Sequence, residues 1–210
     1  MAATSRPPSF AVPESQPPMG LRERKKLKTR VAIRQATYRL IQEQGYEATT
    51  IEQIAEAAEV SQSTVFRYFA TKEDIVLTDE YDPVMEAVLR SRPLDEPPLE
   101  SLRLMMREAL TSFATAEDEE LRQRTRLMVE IPAIRSRMTE TMSDTAKVLS
   151  QVLADRTGRS ADDLRIRVFI AAVLGALREV TLYWGEHGQE GDLITMVDEA
   201  LIALEGGLRL

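Results

Sequence analysis

The chain has 210 residues, of which 43% are hydrophobic and 29% are charged, a composition typical of a globular protein with one or two cores. It contains no cysteine, which excludes disulfide bonds and thiolate metal ligands. The first twenty residues lack the apolar stretch of a signal peptide, and no apolar run reaches the roughly 18 residues that span a bilayer. We therefore expect a cytoplasmic protein.

The net charge of -7 is unevenly distributed along the chain. Residues 1–75 carry 11 Lys and Arg against 9 Asp and Glu, a net charge of +2, whereas residues 76–210 carry 16 against 25, a net charge of -9. Residues 22–34 alone hold seven basic side chains and one acidic side chain. By itself, such a basic run indicates a solvated, charged helix start.

Residues 1–20 contain five prolines and few large apolar side chains, and they are predicted to form a disordered arm. The first helix is expected to begin between Leu21 and Thr29 and to end near Gln44, with Gly45 as the stop. Its buried face is predicted to contain Ile33, Ala36, Leu40 and Ile41.

The next stretch predicts two short helices joined by a tight turn at Val60 and Ser61. Thr50 and Gln53 have the spacing of a capping box, and apolar residues then recur at helical spacing through Ala58. The following helix, 62–69, is too short to be stable alone, and Val65 with Phe69 gives it one apolar stripe to bury. Its opposite face is polar, and this arrangement is typical of a helix-turn-helix.

The same run, GYEATTIEQIAEAAEVSQSTVFRYFATKED, resembles the DNA-binding signature of TetR-type (tetracycline-repressor-like) bacterial transcriptional regulators. The matching positions are Gly45, Tyr46, Thr49, Thr50, Ile54, Ala55, Ala58, Val60, Ser61, Thr64, Phe66, Tyr68, Phe69, Lys72 and Glu73. Two positions depart from the family pattern. The usual glycine of the turn is Glu59, so the turn either avoids a positive φ or is strained there, and a frequent phosphate-contacting tyrosine is Phe66, which has no hydroxyl.

The resemblance implies a regulator that binds double-stranded DNA. Arg67 is the leading candidate for a base-edge contact, because arginine reaches guanine O6 and N7 together, and Gln62 and Ser63 are secondary candidates. Phosphate contacts are assigned to Thr50, Thr64, Tyr68 and Lys72. The basic run of residues 22–34 gains a role in this setting, because basic arms beside such motifs supply phosphate and minor-groove contacts. The alternative for each position is an exposed polar residue with no role.

From Lys72 onward the pattern is helical almost to the end of the chain. Pro83 is expected to kink or break the helix that begins at Lys72, and the proline-rich segment 92–98 is expected to be a loop. Further helices are predicted from Leu99 to about Ala116, from Glu117 to Pro132, from Ile134 to Arg156, from the Ser160 region onward and from Asp192 to Leu208.

The last two helices predict an interface with a second subunit. Ser160 and Asp163 are spaced as a capping box variant, and the apolar run from Val168 to Leu177 covers every side of its helix. Such a helix needs a partner on both sides, and the resemblance implies a four-helix bundle formed by two subunits. The alternative is that both helices fill the core of a monomer.

A ligand pocket is the least specific prediction, because no ligand motif occurs in residues 99–187. Apolar residues that are candidates for lining a pocket between helices are Met106, Phe113, Met128, Phe169 and Trp184. The alternative is that each is an ordinary core residue. The resemblance implies a hydrophobic or amphipathic effector whose binding releases DNA.

The sequence argues against an enzyme. His187 is the only histidine, it lies in a Gly-flanked segment, and no nucleophile with a paired base accompanies it. We expect neither a cofactor nor a metal. The remaining alternative is a DNA-binding regulator or architectural protein without a small-molecule ligand.

The predicted fold is therefore all-α with about nine helices. It comprises an N-terminal arm (1–20), a three-helix helix-turn-helix domain (21–75) and a helical sensor and dimerisation domain (76–210). The resemblance implies a homodimeric repressor of a palindromic operator, because two related reading helices contact two half-sites.

Overall fold

The computed structural model describes residues 20–78, 82–114 and 118–208. These residues form ten helices and no strand, in agreement with the predicted all-α class and one helix more than expected. The helices are α1 (Leu21–Gln44), α2 (Ile51–Ala57), α3 (Gln62–Tyr68), α4 (Lys72–Leu77), α5 (Asp82–Ser91), α6 (Pro98–Ala114), α7 (Asp118–Glu130), α8 (Pro132–Thr157), α9 (Leu164–Glu186) and α10 (Leu193–Glu205). The predicted disordered arm, apart from Gly20, lies outside the described residues.

Helices α1 to α3 pack around a small apolar core. Ile33 of α1, Ile54 of α2 and Val65 of α3 are each fully buried in it. Local capping defines the short helices: the Thr50 hydroxyl accepts a hydrogen bond from the Gln53 amide, and the Gln53 side chain accepts one from the Thr50 amide. The predicted capping box is therefore confirmed, and it fixes the start of α2.

The extra helix arises where the sequence left a choice between a kink and a break. Helix α4 ends at Leu77, and α5 begins at Asp82 with Pro83 as its second residue. Proline is well tolerated there, because the first amides of a helix have no partner within it. The chain therefore breaks rather than kinks.

The C-terminal helices enclose a second, larger core, to which α5, α6, α8, α9 and α10 contribute buried residues. Helix α8 starts at Pro132 and is followed by Gly158, whose left-handed φ of 67° ends it as predicted. None of the described helices has the length and apolar character that crossing a bilayer requires.

The predicted capping box at the start of α9 is wrong. Asp163 is itself the N-cap, and its carboxylate accepts a hydrogen bond from the Arg165 amide at 2.8 Å. Ser160 lies one turn earlier, where its carbonyl accepts from the Asp163 amide. Because serine and aspartate are both favourable caps, their spacing alone does not determine which one starts the helix.

A third apolar cluster joins the N-terminal helices to the C-terminal helices. Tyr38 and Ile41 of α1 and Val76 of α4 meet residues of α7, α8 and α9, including Leu127, Ile134 and Leu182. Packing against the C-terminal helices therefore fixes the positions of α1 and α4.

Candidate DNA-binding surface

Helix α3 is held by its cap and by one buried face. The Ser61 hydroxyl accepts a hydrogen bond from the Thr64 amide at 3.2 Å. Ser61 is thus the N-cap of a helix that is only seven residues long. Val65 and Phe69 are buried against α1 and α2, and the Arg30 guanidinium of α1 lies 5.5 Å from the centre of the Phe69 ring. These contacts fix which side of α3 faces outward.

The outward side of α3 carries the predicted base-reading residues. Gln62, Ser63 and Arg67 are all exposed, and so is Phe66. The Arg67 guanidinium lies 5.2 Å from the centre of the Tyr68 ring, a cation–π contact that restrains its direction. The structure thus brings the candidate base-reading side chains together on one solvent-facing surface.

Hydroxyl groups predicted to contact phosphate already have partners within the motif. The Ser61 hydroxyl lies 2.9 Å from those of both Ser63 and Thr64. The Thr50 hydroxyl takes part in the capping box of α2. A phosphate oxygen can only accept, and each hydroxyl has one hydrogen to donate. The Thr64 hydroxyl has that hydrogen free for a phosphate when Ser61 is the donor of their pair, whereas the Thr50 hydroxyl donates to Gln53 Oε1 at 3.3 Å and must turn away from it to hold a phosphate.

Lys72 has a structural role that the sequence did not indicate. Its Nζ donates to the Tyr46 carbonyl at 2.6 Å and to the Thr49 carbonyl at 2.9 Å, and it lies 3.9 Å from the centre of the Tyr46 ring. An ammonium group has three hydrogens, so one remains for a phosphate. Lys72 therefore ties the start of α4 to the segment between α1 and α2.

Tyr46 reinforces the same junction. Its hydroxyl donates a hydrogen bond to the Glu73 carboxylate. Burial, together with the neighbouring Glu73 carboxylate, raises the pKa of Tyr46 well above its ordinary value, so the phenol stays a neutral donor.

The turn before α3 is strained at the position where the family pattern has glycine. Glu59 has a φ of 54°, in the left-handed region that side chains with a Cβ disfavour. Of the two alternatives drawn from the sequence, the strained turn is the one adopted. The Glu59 side chain is exposed, so the strain at this position is that of the backbone alone.

The basic run at the start of the described chain is helical. Helix α1 begins at Leu21, and the exposed basic side chains of its first eight residues are Arg22, Arg24, Lys25, Lys26 and Lys28. Further along the same helix, Arg30 contacts Phe69 at the end of α3. The positive charge is therefore carried on the N-terminal turns of a helix that contacts the end of α3.

Two ion pairs connect these N-terminal helices to the C-terminal part. The Arg137 Nε of α8 donates to Asp74 of α4 at 2.7 Å, and buried Arg34 of α1 pairs with Glu120 of α7. The Gln123 side chain of α7 also donates to the Tyr38 carbonyl at 3.0 Å. The partners are at least 63 residues apart in sequence, which explains why the local patterns gave no signal for them.

The predicted pocket residues fall into two cores. Met106, Phe169 and Trp184 belong to or pack on the C-terminal core, whereas Met128 belongs to the cluster that joins the two parts. Trp184 is held by Arg122, 5.2 Å from its ring centre, and its indole nitrogen lies 3.4 Å from the Gly191 carbonyl. The side chain of Phe113 lies outside the described part of the chain.

His187 occupies the C-cap of α9. Its ring stacks on Tyr183 with 3.8 Å between ring centres, and its Nδ1 lies 2.7 Å from the Tyr183 carbonyl. These contacts account for the residue through helix capping.

Comparison with known proteins identifies the family. Residues 33–78 match the family model of bacterial regulatory proteins of the tetR family, and residues 96–209 match the model of the MftR C-terminal domain. The chain is 34% identical over 191 residues to the HTH-type transcriptional regulator TcmR of Streptomyces glaucescens, a match that covers 87% of this chain and 83% of TcmR.

Two solved structures have a similar fold. The fatty acid degradation regulator FadR from Bacillus halodurans is 25% identical with a TM-score of 0.56, over 85% of this chain and 99% of FadR. FadR from Bacillus subtilis, solved in complex with stearoyl-CoA, is 23% identical with a TM-score of 0.56, over 83% of this chain and 96% of that protein. The chain therefore belongs to the tetR family of bacterial regulatory proteins and is a DNA-binding transcriptional regulator.

Proposed function

We propose that the chain acts as a homodimeric repressor that binds an approximately palindromic operator and releases it when a hydrophobic or amphipathic small molecule binds. The observation that carries this proposal is an apolar stripe on α9 and α10 that a single subunit leaves exposed. The same chain carries an outward-facing helix α3, and packing and ion pairs link the N-terminal helices to the C-terminal helices.

The stripe on α9 follows helical spacing. Leu164 is 73% exposed, Val168 58% and Tyr183 50%, with Ala172 and Gly175 between them. Glu179 is the polar residue within the stripe. On the neighbouring α10, Ile202 is 46% exposed. The small residues permit close approach of another helix, and pairing α9 and α10 with their copies buries this surface in a four-helix bundle.

The oligomeric state tests the interface. Val168→Arg places a charge within the stripe and is expected to give monomers in light scattering, while the parent chain is expected to be a dimer. Val148→Arg is the matched control, because Val148 is 43% exposed on α8, away from the stripe. A Val168→Arg variant that stays dimeric would exclude this face as the interface.

The DNA contacts proposed for each subunit divide into two groups. Arg67, with Gln62 and Ser63, reads base edges, while Thr50, Thr64, Tyr68 and Lys72 hold phosphates together with the basic side chains of α1. Arg67→Ala is expected to relax specificity at one base pair of each half-site, measured by binding to a set of single-base operator variants. Equal losses on operator and random DNA would remove Arg67 from the base-reading group.

The proposed effector binds within the C-terminal helices. Met106, Phe169 and Trp184 supply apolar surface in their core, and the solved relative with stearoyl-CoA makes long-chain amphipathic molecules the first class to test. Release requires that the effector bind the DNA-incompetent arrangement more tightly than the competent one. A thermal-shift screen of acyl-CoA esters and other amphipathic metabolites identifies binders, and a gel shift then measures loss of DNA binding. If no binder weakens DNA binding, the alternative of a regulator without a small-molecule ligand is favoured.

A further inference from the structure

Phe66 is an unusual residue for the outward side of the recognition helix. It is 54% exposed, while its neighbour Val65 is fully buried and Phe69 is almost so. A phenyl ring in water loses the free energy that burial would supply, and it has no polar atom to offset that loss. An exposed apolar side chain on a binding surface gains free energy if the complex covers it.

Helical geometry places Phe66 within the group of base-reading candidates. With Val65 pointing inward and about 100° of rotation per residue, Phe66 projects between Gln62 on one side and Ser63 on the other. Arg67 follows next around the helix and lies against the Tyr68 ring, on the side away from Phe66. The phenyl ring therefore lies on the flank of the outward side of α3, about 100° around the helix from Val65 and beside two of the base-reading candidates.

We propose that Phe66 reads the C5 methyl group of a thymine in each half-site. A phenyl ring has no hydrogen-bond donor or acceptor, so it cannot bond to a phosphate or to the polar base edges. In the major groove, the apolar feature that distinguishes base pairs is the thymine methyl group. The contact buries both the exposed ring and the methyl group, and it discriminates thymine from cytosine at that position.

This inference rests on the proposed insertion of α3 into the major groove, and its test separates the two. The operator is first isolated by selection of random duplex DNA on the intact protein. Each thymine is then replaced in turn by deoxyuridine, which removes only the methyl group. The dissociation constant of the parent chain is expected to rise about four-fold at one thymine per half-site, the loss of one buried methyl group.

Variants assign that effect to Phe66. Phe66→Ala should weaken binding to the unmodified operator and lose the deoxyuridine effect at that thymine, so that the two changes are not additive. Arg67→Ala is the matched control on the same helix and should keep the full deoxyuridine effect. Because Phe66 is exposed, Phe66→Ala should retain the parent melting temperature, and a thermal melt verifies this.

The outcomes separate the two hypotheses. A selected operator that shows no deoxyuridine effect, or one whose effect persists in Phe66→Ala, overturns the thymine contact and leaves the proposed repressor intact. If selection yields no specific sequence, the proposed function fails and the thymine contact fails with it.

Discussion

At the turn before α3, Glu59 holds a left-handed backbone that glycine adopts without strain. We expect Glu59→Gly to stabilise the protein by about 0.5–1 kcal/mol, because relief of the left-handed strain outweighs the added flexibility of the unfolded chain. Urea-induced unfolding measures the change.

Glu56→Gly is the control for that experiment, because it makes the same substitution at an exposed position inside α2. There glycine should destabilise by about 0.5–1 kcal/mol, as is usual within a helix. Shifts of the same sign in both variants would contradict the assignment of strain to Glu59.

Lys72 is predicted to matter for stability as well as for DNA. Lys72→Ala leaves the Tyr46 and Thr49 carbonyls without their charged donor and should destabilise by about 2 kcal/mol. It should also weaken operator and random DNA alike, since a phosphate contact carries no sequence information. Unchanged unfolding in urea, with weaker DNA binding, would instead make Lys72 a phosphate ligand alone.

Thr50 and Lys72 show which contacts local sequence patterns can predict. The Thr50 cap was predictable because its partner lies three residues away. The bonds of Lys72 were not, because its acceptors are backbone carbonyls 26 and 23 residues distant. Backbone acceptors carry no residue signature, so such bonds emerge only with the fold.

At the scale of elements, the N-terminal extension of α1 is expected to carry phosphate contacts. Replacing Lys25 and Lys26 by glutamine should reduce the slope of log K against log salt by about 0.9 for each phosphate that is no longer neutralised, equally on operator and random DNA. Fluorescence anisotropy across a salt series gives this slope.

The control for this charge removal replaces Arg126 and Lys147 by glutamine. Both are exposed, on α7 and α8, and the change removes the same charge from the C-terminal part. If the control variant lowers the slope as much as the α1 variant, the effect reflects net charge rather than direct binding of phosphates by α1.

Most helix boundaries followed from caps and breakers. Gly45 and Gly158, both with positive φ, end α1 and α8 as expected from their positions in the sequence. The start of α9 was misplaced because Ser160 and Asp163 are both competent caps. The break between α4 and α5 was one of two outcomes consistent with Pro83, which lies in the first turn of α5.

At the scale of the whole molecule, the ion pair between Asp74 and Arg137 links the reading helices to the C-terminal helices. A double-mutant cycle with Asp74→Asn and Arg137→Gln should give non-additive changes in urea unfolding, with the double variant less destabilised than the sum of the two single variants. Each single variant should also bind operator less tightly, because α3 is then less firmly positioned. If the two changes in unfolding free energy add up and the DNA affinity is unchanged, the ion pair does not position α3.

The class of the fold and the exposed position of the candidate base-reading residues on α3 were predictable, because helical periodicity and the helix-turn-helix motif are local. The apolar cluster between α1, α4 and the C-terminal helices was not predictable, because only tertiary structure brings its residues together. The two ion pairs were not predictable either, because arginine and acidic residues are frequent and their pairing depends on the fold. The pocket residues were separated for the same reason: Met128 and Trp184 are both apolar, and their assignment to different cores depends on helix packing.

The most direct test of the central proposal is the stoichiometry and footprint of the complex with the selected operator. Native mass spectrometry and nuclease protection on one duplex should give two chains for each pair of protected half-sites, arranged as an inverted repeat. A single chain bound to one unrepeated site would contradict the proposal that this regulator binds its operator as a dimer.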